Sequence, residues 1–457
     1  MPRALAVLAL VLALAPACKG RKARSPDAGD GQSATAMGSW DAWLDLSPLL
    51  EVARSHAPER TVDALKKASK LLQDGKARSA DGLLAPLADS DGRHWVAVAR
   101  ADLAALYFTT CIRGVAWRLE DLTAKSPPMR RSDFSENTKL IQGDVSVEAM
   151  LTDLDAAVSA KNAALAVQAR IARARVTAFS SRCPATPDVQ QLSEGILKND
   201  LATLAAENHL TPDLAFLWAG VQMSEFSGAA ARPFLLMARD GGYTDPSVVY
   251  MLGVIALEQR DLDRADGYAS DALTQYAKIG DKDQQAQTLF LRGEVARARN
   301  DAAGARKHYE SAQKIVPGHP AAVLGVARLV LAADGPSGAV KYLQGILPQV
   351  ALTGPLTPEK TPVAADNLEA LAMFVQESEL VAVTRDALLA EVDLEPDVTR
   401  RGLRYFFAAT LDARLGEYAH ARAHAALARD EFATTSEPPP VDVDKFIERV
   451  DSVSNPR

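Results

Sequence analysis

The sequence predicts an all-α protein built as a solenoid of helical hairpins, and three observations predict it. Helix-forming residues dominate the 457 positions and long β-branched runs are few. Small residues recur in step: Ala231, Ala265, Ala305 and Ala339 stand 34, 40 and 34 residues apart, a period of 34 with one six-residue insertion. Seven residues after three of these anchors comes a second alanine, Ala238, Ala272 and Ala312. Two antiparallel helices approach closely only where side chains are small, so this spacing marks the inner face of the second helix in successive pairs. One such pair cannot bury its own apolar face, and stacking supplies the core.

The clearest unit carries Gly293 in its first helix, Asn300-Asp301 at the turn, Ala305, Tyr309 and Ala312 in the second helix, and Pro317 at the end. The unit before it carries Leu252-Gly253, Asp261, Ala265 and Ala272. Together these residues resemble the tetratricopeptide repeat (TPR) family over 212–353. The resemblance implies a TPR-like helical-hairpin solenoid wound as a right-handed superhelix. It has Gly253 and Gly293 facing Ala265 and Ala305 across each hairpin, with Leu252, Leu289 and Tyr309 filling the space between neighbouring hairpins. In this family the first helices line a concave groove that receives extended or helical peptide. Placed in register, that surface holds Phe216, Tyr250, Leu257, Phe290, Glu294, Arg297, Leu324 and Arg328. The lysine and asparagine set of members that bind chaperone tails is not evident here.

Ahead of this array, Met1 to Cys18 reads as a bacterial lipoprotein signal. Arg3 is a positive start, Ala4 to Ala15 is an apolar run, and Ala15-Pro16-Ala17 precedes Cys18. The resemblance to a lipobox departs from its pattern at Ala15 and Pro16. It implies that residues 1–17 are removed and that Cys18 is lipidated; an ordinary secretory signal cut near Ala17 is the alternative. Residues 18–38 form a tether, too rich in Gly, Ser and Asp to bury apolar area, and their basic start at Lys19, Arg21, Lys22 and Arg24 suits an anionic membrane surface. Lys19 after the cysteine favours the outer membrane by the rule of enteric bacteria.

Residues 39–211 read as degenerate helical repeats. Trp40, Trp43, Leu44 and Leu46 open them as a cap. Ala64, Leu65, Ala68, Leu71 and Leu72 make one helical face, Asp74-Gly75 turns, and Ala80, Leu84 and Leu87 make the next. Further helices are expected from Trp95 to Leu122, Val147 to Val158, Asn162 to Phe179 and Val189 to Asn208. The Ser126 to Asp144 stretch, with Pro127-Pro128, breaks the pattern as a long loop. Residues 354–457 hold helices over Asn367 to Glu379 and Leu380 to Leu394. One more repeat follows from Leu403 to Glu431, with Ala421 and Ala428 seven apart, and then a capping helix from Val443 to Val450.

A formal charge of −7 argues against a nucleic-acid binder, which would show a concentrated basic face. Cys111 and Cys183 remain once Cys18 is acylated and make a candidate disulfide in an exported protein, with two buried thiols as the alternative. His420 and His424 share one helical face at i, i+4, but no HExxH glutamate accompanies them and no metal is assigned. Asp281, Asp283, Glu391, Asp393 and Asp397 lack the ordered ladder of a calcium loop and suit helix capping. No phosphate loop, GxSxG elbow or Cys/His nucleophile pair occurs, so no enzyme activity and no cofactor is expected. The function expected is a scaffold for a protein or peptide partner, tethered to the membrane of the bacterial envelope. A glycan-capturing lipoprotein and an enzyme using the 126–144 loop are its rivals.

Overall fold

The computed structural model describes residues 46–73, 77–112, 147–180, 187–351, 378–390, 395–435 and 441–454, with single positions 375, 392 and 439. Among them all regular structure is helical. The signal segment, Cys18, the tether, Trp40, Trp43, Leu44, Asp74-Gly75, the 126–144 loop, Cys183, Glu391 and Asp393 lie outside the described residues, as does the side chain of Cys111. The chain divides into two compact units, Met1–Ile255 and Ala256–Arg457.

The first unit contains α1 (Ser47–His56), α2 (Glu59–Gln73), α3 (Ala77–Leu84) with a 3-10 turn (Ala85–Leu87), α4 (Arg93–Ile112), α5 (Val147–Val158), α6 (Ala163–Ser180), α7 (Pro187–Ala206), α8 (Pro212–Glu225) and α9 (Gly228–Asp240). The faces expected on α2 and α3 are the ones buried: Leu65, Ala68, Leu72, Ala80 and Leu84 join one core with Leu49, Trp95 and Leu154. Helices pack on their chain neighbours, and α4 and α8 also pack on α6. Those longer reaches carry charge. Arg175 on α6 donates from Nε to Asp213 on α8 at 2.9 Å and from Nη1 to Asp102 on α4 at 3.0 Å. Arg173 on α6 holds Asp200 on α7 at 2.7 Å and Asp155 on α5 at 2.7 Å. Arg100 on α4 holds Asp81 on α3 at 2.8 Å. Burial pushes the Asp102 carboxyl up even though Arg175 opposes it. At Asp213 burial acts in the same direction, but Arg175 outweighs it and holds that carboxyl below the usual range.

α10 (Pro246–Glu258) spans the boundary between the units. The second unit continues with α11 (Leu262–Lys278), α12 (Lys282–Ala298), α13 (Ala302–Ile315), α14 (Pro320–Ala351), α15 (Ser378–Ala390), α16 (Val398–Leu415), α17 (Tyr418–Ala433) and α18 (Val443–Ser454). From α11 on, each helix packs on the next. α14 is two helices joined at Gly335, whose φ of 72° needs a residue without Cβ. α15 is described to Ala390; residues 391, 393 and 394, over which the helix was expected to run to Leu394, lie outside the described residues.

The anchor alanines behave as their spacing requires: Ala231, Ala265, Ala305 and Ala339 are each 0% exposed, as are Ala238, Ala272 and Ala312. Ala421 and Ala428 on α17 are equally buried. The six inserted residues enter as helix, because α11 and α12 have 17 residues each against 13 in α9 and α10. The connection shortens in exchange, from residues 241–245 to residues 279–281. The turns share one design, a left-handed residue followed by a capping acid. Arg260 (φ 60°) and Asn300 (φ 62°) precede Asp261 and Asp301, whose carboxylates accept from Arg264 N–H and Gly304 N–H. Asp281, after Gly280 (φ 71°), caps α12 in the same way, and Asp397 caps α16 without a left-handed residue before it, both as their positions suggested.

The Cβ that Gly293 lacks would meet the Tyr309 ring at 2.2 Å, so this glycine makes room for that ring on the next helix. Gly325 on α14 receives the same ring, with 2.9 Å to a built Cβ. Tyr309 therefore does lie between hairpins, in a notch made by two glycines. At the last hairpin Phe432 on α17 enters a similar notch at Gly402 on α16, 2.5 Å from a built Cβ. α18 then covers that end: Val443 joins the core, Phe446 and Ile447 pack against it, and the Phe446 ring stands 5.4 Å from Phe406.

Candidate functional site

α12 carries Phe290, Glu294 and Arg297 at i, i+4 and i+7, which places them on one stripe of the helix. α14 brings Arg328 to the same stripe. Glu294 Oε1 accepts from Arg328 Nη1 at 3.1 Å, and Glu294 Oε2 accepts from Arg297 Nη2 at 2.6 Å and Nε at 3.2 Å. The Tyr309 hydroxyl donates to Glu294 as well. Beneath this knot the Phe290 and Tyr309 rings lie 5.7 Å apart at 31°. Four of the eight residues assigned to the partner surface are thereby brought together, with Tyr309 as a fifth member that sequence reasoning used only for packing.

Electrostatics fixes the protonation of this group. Burial pushes the Glu294 carboxyl up, but Arg328, Arg297 and the Tyr309 hydrogen bond outweigh it and hold the acid below the usual carboxylate range. The Tyr309 hydroxyl moves the other way, raised by burial and by the neighbouring Glu294 charge, so it stays a donor. Glu294 is 14% exposed while Arg297 is 44% and Arg328 25% exposed. The acid is thus an internal post that orients two guanidinium groups, of which Arg297 is the more exposed. Paired guanidiniums of this kind suit planar acceptors such as carboxylates.

The other four residues are elsewhere. Phe216 is 6% exposed and its ring lies 5.3 Å from Tyr243. Tyr250 and Leu324 are each 2% exposed. Leu257 is partly buried against Ala256, Ala265 and Val295. Register along first helices gives a residue's position in the repeat, but not which neighbouring side chain covers it.

A second polar group closes the last hairpin. The Asp412 carboxylate on α16, 1% exposed, receives His424 Nδ1 at 2.6 Å and Arg385 Nη1 at 3.2 Å. Arg385 also reaches Glu417 at 2.6 Å, and His420 Nδ1 lies 3.2 Å from Glu417. The sequence showed the histidine pair; the carboxylate beneath it, on the other helix, had no local signal.

No family model and no curated protein matches the sequence. Among solved structures, the chain is similar to the crystal structure of yeast Tom70, with 12% identity and a TM-score of 0.38, covering 92% of this chain and 88% of that one. It is also similar to the APC/C hetero-tetramer Cut9-Hcn1, with 14% identity and a TM-score of 0.30, covering 91% of this chain and 88% of that one. Neither likeness carries a function across to this chain.

Proposed function

We propose that this protein is a non-enzymatic interaction scaffold that binds a protein or peptide segment on the first-helix face of its array, at Phe290, Glu294, Arg297 and Arg328. The observation that carries the reading is the Glu294 post itself. A buried acid that spends its hydrogen bonds on orienting two guanidiniums, over an aromatic floor, prepares a surface for a carboxylate or backbone carbonyl. Aromatic and arginine side chains are also those that dominate the energetics of protein interfaces. A partner segment with an acidic side chain or a free C-terminus fits this chemistry.

The scaffold is held to the bacterial envelope through acylated Cys18, with residues 18–38 as its tether and the outer membrane as the favoured location. The signal-like segment Met1–Ala17 and the basic residues after Cys18 support this part of the reading. Two experiments test it. A pull-down from envelope extracts compares the wild type with Arg297→Glu, and partner recovery should fall at least tenfold; equal recovery removes this face. Labelling cells with a clickable fatty acid should mark the wild type and not Cys18→Ser, and a label that survives that substitution overturns the anchor.

A further inference from the structure

We infer that the partner segment lies in a polyproline II conformation and carries one internal acidic side chain, with an apolar residue three positions before it and another three positions after. The inference rests on the first-helix face proposed above and names what that face selects. Leu257 on α10, Arg297 on α12 and Leu331 on α14 stand 40 and 34 residues apart, the same intervals that separate the anchors Ala265, Ala305 and Ala339. They therefore hold one position in three successive first helices. Two contacts show that such positions line up in space. Leu257 packs against the cluster of Ala256, Ala265 and Val295, and Val295 stands two residues before Arg297 on α12. Glu294 accepts from Arg328, 34 residues further on, at 3.1 Å, and these two stand three residues before Arg297 and Leu331.

The row thus reads apolar, cationic, apolar. Leu257 and Leu331 are each only partly buried. Arg297 is 44% exposed, with its guanidinium steadied by Glu294. Among the described residues Glu294 is the one carboxylate paired with Arg297, and it is shared with Arg328. A carboxylate from outside complements that charge. Apolar neighbours on both sides of it make it a side chain within the segment rather than a chain end. The spacing of the helices selects the conformation. α12 packs on α14, and packed helices lie about 8–10 Å apart. Polyproline II has three residues per turn and rises about 3.1 Å per residue, so every third side chain returns to the same edge after about 9.3 Å. A strand returns a side chain to one face after about 6.6 Å or about 13 Å, and a helix returns its seventh after about 10.5 Å. Of these repeats, the polyproline II one falls within the helix spacing.

The test titrates fluorescent, end-blocked peptides against the full chain by anisotropy, in a proline- and serine-rich background. The reference peptide has a central glutamate with leucines at −3 and +3. Others move the leucines to ±2, ±4 or ±7, or replace the glutamate with glutamine. The reference is expected to bind at least about tenfold tighter than any of these. Arg297→Gln should bring the glutamate and glutamine peptides to equal affinity, and the double variant Leu257→Ala, Leu331→Ala should remove the preference for leucine spacing. The comparison among peptides on the wild type needs no variant and stands however these fold. Binding that depends on glutamate but ignores leucine spacing, or favours ±7, overturns this inference and leaves the face itself in place. Binding indifferent to glutamate, or none to any peptide, overturns both.

Discussion

Ion pairs join helices in both units, but the Arg175 centre belongs to the first unit and the glycine notches that seat Tyr309 and Phe432 belong to the second. In the first unit Arg175 reaches carboxylates 73 and 38 positions away, on α4 and α8, and Arg173 ties α5 to α7 through α6. In the second, the Tyr309 ring is seated in the notch of Gly293 and Gly325, and Phe432 in that of Gly402. Buried ion pairs fix which helix meets which, at a desolvation cost that leaves little net stability. A ring in a glycine notch gains dispersion and apolar burial without that cost, but only if the spacing is kept. The first unit relies on a charge centre shared by three helices; the second combines inter-helix ion pairs, such as Glu294–Arg328 and Arg385–Asp412, with ring-in-notch packing that requires a repeat.

The largest expected effect breaks the charged side of this contrast. Arg175→Ala leaves Asp102 and Asp213 buried without their shared cation, and should cost about 3–5 kcal/mol in denaturant unfolding. Replacing all three with apolar residues, as Arg175→Met, Asp102→Leu and Asp213→Leu, should recover most of that loss. A cost under about 1 kcal/mol for the single change would mean that charge does not specify the first unit.

Acid separates the units next. His319 caps α14 by accepting the Ala322 N–H at its Nδ1, at 3.3 Å, and desolvation pushes its pKa down to about 4. Its folded pKa lies below the unfolded value, so its stabilising contribution is complete above about pH 6.5 and lost as the pH falls towards 4. The loss totals about 3 kcal/mol, since each tenfold change in proton affinity is worth about 1.4 kcal/mol. Hydrogen exchange along α14 should speed up over that interval, and His319→Asn, which keeps a cap acceptor, should abolish the dependence. In the first unit the lowered Asp213 and the raised Asp102 oppose one another, so acid gives a smaller net change there.

The shape side is tested by Gly293→Ala. A methyl group 2.2 Å from the Tyr309 ring cannot fit without movement, and Gly325 blocks the opposite side. We expect a loss of about 1–3 kcal/mol, and a double-mutant cycle with Tyr309→Leu should show coupling of at least about 0.5 kcal/mol. Additive effects would show that the notch is no more than loose contact. The smallest effect belongs to the turns. Asp301→Ala removes a 2.8 Å cap bond to Gly304 N–H and should lower the unfolding free energy by about 1 kcal/mol, with Asp301→Asn close to wild type.

This contrast also explains what could be read beforehand. Anchor alanines need no particular partner; smallness alone lets a helix approach, so Ala231, Ala265, Ala305 and Ala339 revealed the array by spacing. Capping aspartates act within three residues and are just as visible. Arg175 was not visible, because an arginine in an α-helix looks solvated until the helix that covers it is known. The same blindness put Phe216, Tyr250 and Leu324 on a partner face, although each proved buried. Phe290, Glu294 and Arg297 were legible because their i, i+4, i+7 spacing on one helix places them together. The Tyr309 hydroxyl on Glu294 was not, since it depends on which side of a ring faces the next helix.

The inserted residues of α11 and α12 have a mechanical consequence. Both helices gain length toward their shared turn, and four extra residues at about 1.5 Å each push that turn some 6 Å outward. Ile279, 38% exposed, stands in that turn, so the longer pair presents an apolar side chain at its end that the shorter helices, with Gly241 and Gly242 in theirs, do not.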